Sequence, residues 1–130
     1  MSSVEKNGKI FVVIAFVSFF VIAYLVNFNR KKTIKSNMKV NSGYIYECNS
    51  AFRGGVDIFY SVVINGNTVK GSRSLGITSS YRNFFEKKWF PVVYNADEPT
   101  ENKILIKPID FEDYGIEFPD SLNWVKKYCN

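Results

Sequence analysis

The chain has 130 residues, 46% of them hydrophobic and 17% aromatic, with 17 Lys and Arg against 12 Asp and Glu. That length bounds the fold at one compact domain, and the high Phe and Tyr content belongs to strands and excludes a disordered chain. Histidine is absent, which removes Ser-His and Cys-His nucleophile pairs and histidine-ligated metal sites together.

After a tail over residues 1–9, the run from Ile10 to Phe28 carries no charged side chain. As a helix its nineteen residues extend about 28 Å, the thickness of a bilayer core, so a single transmembrane helix is expected over 10–28. A cleaved leader requires small residues after a shorter apolar core. Here Ala23 leads to Tyr24, Leu25 and Val26, and then to the stop-transfer cations Arg30, Lys31 and Lys32.

A basic juxtamembrane linker is expected over 29–39, with Arg30, Lys31, Lys32 and Lys35 as a collar that attracts anionic headgroups. This excess of cations favours a cytoplasmic domain, whereas Lys6 and Lys9 before the run suit the opposite, signal-anchor orientation. Up to Lys39 seven basic residues face one acid; from Val40 on ten face eleven. The domain is therefore near neutral, and nucleic acid is not an expected partner, because phosphate binding needs a concentrated positive field.

Residues 40–130 read as a small β-rich domain. A first strand begins near Val40, with Tyr44, Tyr46 and Cys48 on one face. The alternation of Val56, Ile58, Tyr60, Val62 and Ile64 predicts a second strand, and Asn65-Gly66 turns it into a third over Thr68 to Leu75. Thr78-Ser79-Ser80 caps a short helix over Tyr81 to Lys87. Trp89 to Tyr94 forms a fourth strand in which Pro91 implies an edge or a bulge, and Lys103 to Ile106 a fifth. The expected sheet is antiparallel with its strands in sequential order. An acidic, solvated turn from Asp110 to Glu117 precedes a last helix opened by Pro119, with Leu122, Val125 and Cys129 on one face and Trp124 with Tyr128 on a neighbouring one. The fold class is mainly β (α+β): a transmembrane helix, then a five-stranded antiparallel sheet or barrel-like domain with a short C-terminal helix.

The run Phe90-Pro91-Val92-Val93-Tyr94, followed by Asp97-Glu98-Pro99 and Ile104-Leu105-Ile106, resembles an uncharacterised family of short bacterial single-pass membrane proteins. In that family a glycine precedes a V-x-Y-x-P-x-x-P-like strand and loop; here Lys88 stands at the glycine position and Ala96 where a proline is found. The resemblance covers residues 40–107 and implies a compact β domain. It brings no catalytic residues.

No phosphate-cradling motif and no metal-ligand spacing is present, and no cofactor is expected. Cys48 and Cys129 form a disulfide if the domain faces an oxidising compartment and stay free thiols otherwise. Most of the aromatic side chains are expected in the core. The remainder, with a cation beside them, form a partner patch at Arg82, Phe84, Phe85, Trp89 and Phe90. The expected partners are thus the bilayer and a protein, and nothing in the sequence sets an oligomeric state. The expected function is a membrane-tethered, non-enzymatic interaction module; the alternative is a small immunity or accessory protein acting on a partner at the membrane. An enzyme would need carboxylates such as Asp57, Glu86, Asp97 and Asp110 to face one another across a cleft.

Overall fold

The computed structural model describes residues 2–52 and 54–129; in the first helix the side chains described are those of residues 13–22, 25 and 29–36. The chain divides into two compact units, Met1–Thr33 and Ile34–Asn130. Helix α1 spans Ser2–Ser36. Val13, Phe16, Phe19 and Phe20 stand exposed along it, each by 61% or more. The second unit contains β1 (Met38–Ser50), β2 (Val56–Ile64), β3 (Asn67–Leu75), a 3-10 turn at Ser79–Tyr81 leading into α2 (Arg82–Phe85), β4 (Trp89–Asn95), β5 (Asn102–Ile104), α3 (Pro108–Asp113) and a C-terminal 3-10 segment, Asp120–Lys127.

The expected linker over 29–39 is mostly helix. Helix α1 continues to Ser36 and β1 starts at Met38, so a single turn residue, Asn37, separates them. Two physical reasons account for this: cations in a helix's last turns complement its dipole, and Ile34, wholly buried, gives the helix end an apolar anchor in the second unit.

All strand pairs are antiparallel, but the order is β3-β2-β1-β4-β5 and not sequential. Strand β1 is long enough to serve two neighbours: Gly43–Ser50 pairs with β2, and Met38–Tyr44 with β4. A bulge between Ile45 and Glu47 shifts the register. It cancels the alternation expected for Tyr44, Tyr46 and Cys48, turning Ile45 and Cys48 inward and leaving Tyr46 exposed. The second strand follows its pattern, with Val56, Ile58, Tyr60, Val62 and Ile64 all buried. The turn after it holds Asn65 at φ 53° and Gly66 at φ 79°, the two positive angles of a type I′ hairpin.

Pro91 is not at a sheet edge. It pairs with Ser42 of β1, and its carbonyl accepts the Leu105 N–H at 2.8 Å. The reciprocal bond is one that proline cannot donate, and β5 ends at Ile104, earlier than expected.

The sheet curls until its outer strands, β3 and β5, approach each other, and side chains close the seam. Tyr60 of β2 reaches across β3 and donates its hydroxyl to Asn102 Oδ1 of β5 at 2.6 Å. Gly71, its partner on β3, leaves the space for that ring: a Cβ there would lie 2.5 Å from Tyr60 Oη and Cζ. Arg73 of β3 donates through Nη1 to the Ile104 carbonyl at 2.9 Å. The same guanidinium grips Asp110 of α3 with both arms, at 2.5 and 3.1 Å.

Asp110 was expected in a solvated turn, but it is 3% exposed. Its Oδ2 also accepts the amides of Ile106 and Lys107, at 3.1 and 2.9 Å, which caps the start of α3. Burial pushes its pKa up. The Arg73 hydrogen bonds and charge, with the two amides, outweigh that and hold it below the ordinary 3.8.

Two outcomes follow from the seam. Gly71→Ala forces the Tyr60 ring off its path and lowers stability by about 1–3 kcal/mol, read by urea unfolding of the full chain in detergent; Tyr60→Phe loses only the hydrogen bond, about 1 kcal/mol. A Gly71→Ala chain as stable as the parent refutes the close approach. Arg73→Leu leaves the Asp110 carboxylate buried without its main partner and costs about 3 kcal/mol. Because the folded carboxyl titrates below its unfolded value, its stabilisation is complete above that ordinary value and fades as pH falls through the folded one. Melts below about pH 4 therefore narrow the gap between Arg73→Leu and the parent.

Candidate functional site

The structure divides the expected patch. Phe85 and Phe90 are wholly buried, their rings 6.3 Å apart and both close to Trp124. In the single turn of α2, neighbouring residues point in different directions, so with Phe85 inward Phe84 is left half-exposed. Trp89 is exposed and leans on Tyr44 at 5.0 Å, at the start of β4. Arg82 donates to Ser50 Oγ at 2.8 Å, tying α2 to the end of β1. Phe84 lines a concavity.

That concavity is a groove of about 400 Å³ lined by Asn83, Phe84, Lys88, Trp124, Lys127 and Tyr128. Phe84 stacks on Tyr128 with centroids 4.8 Å apart and planes 18° from parallel, and Tyr81 meets the same tyrosine edge-on at 4.9 Å. Lys88 Nζ lies 5.9 Å from the Trp124 centroid and Lys127 Nζ 5.8 Å from that of Tyr128, within cation–π range. The C-terminal segment supplies half the lining because its buried residues, Leu122 and Val125, press one side into the core. Trp124 and Tyr128 then fall beside α2. Their spacing in the sequence was the available signal; what it lacked was which distant element they would face.

The collar residues Arg30, Lys31, Lys32 and Lys35 all stand in the last turns of α1, and Lys35 Nζ lies 5.8 Å from the Tyr114 ring centroid.

Among the described residues no group of three Cys, Asp or Glu side chains could hold a metal ion. Three of the four acids singled out for a cleft have separate structural tasks. Asp57 accepts from Ser74 at 2.7 Å, Asp97 from Asn37 at 3.0 Å, and Asp110 binds Arg73.

Both cysteines are buried free thiols. Burial, with the charges of Glu86 and Glu47, pushes Cys48 up to about 11. Burial also raises Cys129, against the opposing pull of Lys107 and Arg73.

No family model, curated protein or solved structure matches this chain.

Thiols so placed should be slow nucleophiles. At pH 8 iodoacetamide is expected to label the folded chain at least tenfold more slowly than the chain in urea; equal rates would mean that neither thiol is shielded.

Proposed function

We propose that the chain is a single-pass membrane protein whose domain is a non-enzymatic interaction module for a protein partner. The observation that carries the proposal is the nineteen-residue apolar run at 10–28, held in one continuous helix and exposing its described side chains. Leaving a large apolar side chain in water forgoes roughly 1.5–3 kcal/mol. Val13, Ile14, Phe16, Val17, Phe19, Phe20, Val21, Ile22 and Leu25 all stand exposed, and their sum exceeds the stability of a small domain. A bilayer removes that cost.

Among the described residues no helix is long and apolar enough to cross a membrane. The proposed spanning length rests on the sequence of the whole run at 10–28. The resemblance to short bacterial membrane proteins supports the same reading. The surplus of Arg30, Lys31, Lys32 and Lys35 over Lys6 and Lys9 supports a cytoplasmic domain. The groove of Phe84, Trp124 and Tyr128, with its two lysines, supports binding as the domain's task.

Alkaline carbonate extraction of cells expressing the chain tests the tether. The parent is expected in the membrane pellet, and Val17→Arg with Phe20→Arg in the supernatant; a parent chain that extracts overturns the proposal. A C-terminal reporter that fluoresces only in the cytoplasm reads orientation, and a dark reporter on a membrane-bound chain reverses it.

A further inference from the structure

The groove between α2 and the C-terminal segment differs in charge from two other depressions. The one at β2 and β3 combines Asp57 with Arg73, and the one beside Cys129 combines Glu112 with Lys107 and Lys126. This groove has two lysines, three aromatic rings and one amide in its lining, and no acid.

We infer that it is the docking site for a short acidic segment of a protein partner that carries an aromatic side chain, an inference that rests on reading the domain as an interaction module. Each ammonium lies over the face of a ring, so a carboxylate brought to it is screened from water on one side and gains more than at an open surface. Phe84 and Tyr128 already form a two-ring stack, and Phe84 keeps 48% of its surface free to take a third. Asn83 adds amide groups that suit a peptide backbone.

Charge complementarity favours one or two carboxylates over an extended polyanion. From Val40 on, ten basic residues face eleven acidic ones, so the domain as a whole lacks the concentrated positive charge that an extended polyanion requires. The shape favours a peptide over a bilayer: a concave site encloses a side chain, whereas lipid contact is made by a broad amphipathic surface.

The test uses the full chain in nanodiscs of neutral lipid, with a random dodecapeptide library displayed on phage and then the fluorescein-labelled dodecamer enriched from it. Enriched peptides are expected to combine Asp or Glu with Trp, Tyr or Phe. Their affinity, by anisotropy, should fall at least tenfold in Lys88→Glu and in Lys127→Glu, and a smaller fall is expected in Lys127→Gln, which keeps the side chain's length. Lys126→Glu, outside the lining, should bind as the parent does. No enrichment, enrichment without acidic bias, or equal loss in Lys126→Glu overturns the inference. So does binding to anionic vesicles that depends on Lys88 and Lys127 where no peptide is enriched. A chain that stays in the carbonate pellet yet selects no acidic peptide refutes the groove alone, whereas extraction from the membrane refutes the tether.

Discussion

The fold depends on one buried ion pair. Asp110 is almost fully out of water, and an isolated carboxylate there would be costly. Arg73 meets it with two hydrogen bonds, the Ile106 and Lys107 amides with two more, and Lys103 Nζ approaches to 3.7 Å. With its remaining contact Arg73 holds the Ile104 carbonyl, so β3, β5 and α3 meet at a single guanidinium. Burying two charges costs much of what their attraction returns, so the pair's net contribution to stability is small next to the cost of removing one partner. Here the pair closes a five-stranded sheet.

That closure is made by side chains and not by a ladder. The sheet has two outer strands, β3 and β5, and β5 is only three residues long. Arg73 bridges them at one level, and Tyr60 crosses over Gly71 to Asn102 at another. Exposed edges invite pairing with other chains, and a guanidinium and a phenol across the gap make that harder. Inside lie the β2 residues Ile58 and Val62 with Ile45, Val92 and Ile104. Phe85, Phe90 and Trp124 gather where α2 and the C-terminal segment pack on the sheet. The exposure of Phe84 follows from this packing: α2 is a single turn, and it turns Phe85 into the core.

Local features were legible in the sequence and long-range ones were not. The alternation of β2 and the Asn65-Gly66 turn involve neighbours in the chain, and both stand as expected. The strand order depends on β1 pairing with two partners, a property of its thirteen-residue length and its bulge that no window of residues displays. Asp110 read as a solvated acid because Arg73, thirty-seven positions away, is what makes its burial tolerable. The basic linker expected over 29–39 carries no helix signal of its own beyond the helix propensity of Lys and Arg, and the buried contact of Ile34 depends on the second unit. Phe85 and Phe90 could not be told from Phe84 and Trp89 by composition. Only the tertiary packing of α2 and β4 separates them.

In the proposed function, the tether and the groove bear on each other through concentration. A site lined by six residues offers a partner little area, and small interfaces with few anchors bind weakly in free solution. Confinement to a bilayer changes that requirement. Two proteins held in the same membrane meet at an effective concentration set by their anchors and linkers, which can exceed a modest dissociation constant without any further contact. A single turn residue between α1 and β1 leaves little linker to dilute it. A near-neutral domain adds no general electrostatic attraction, so selectivity falls to the lysines and rings of the groove. On this reading a small, weak site suffices because the anchor supplies proximity, and the groove has only to discriminate among partners already in the membrane.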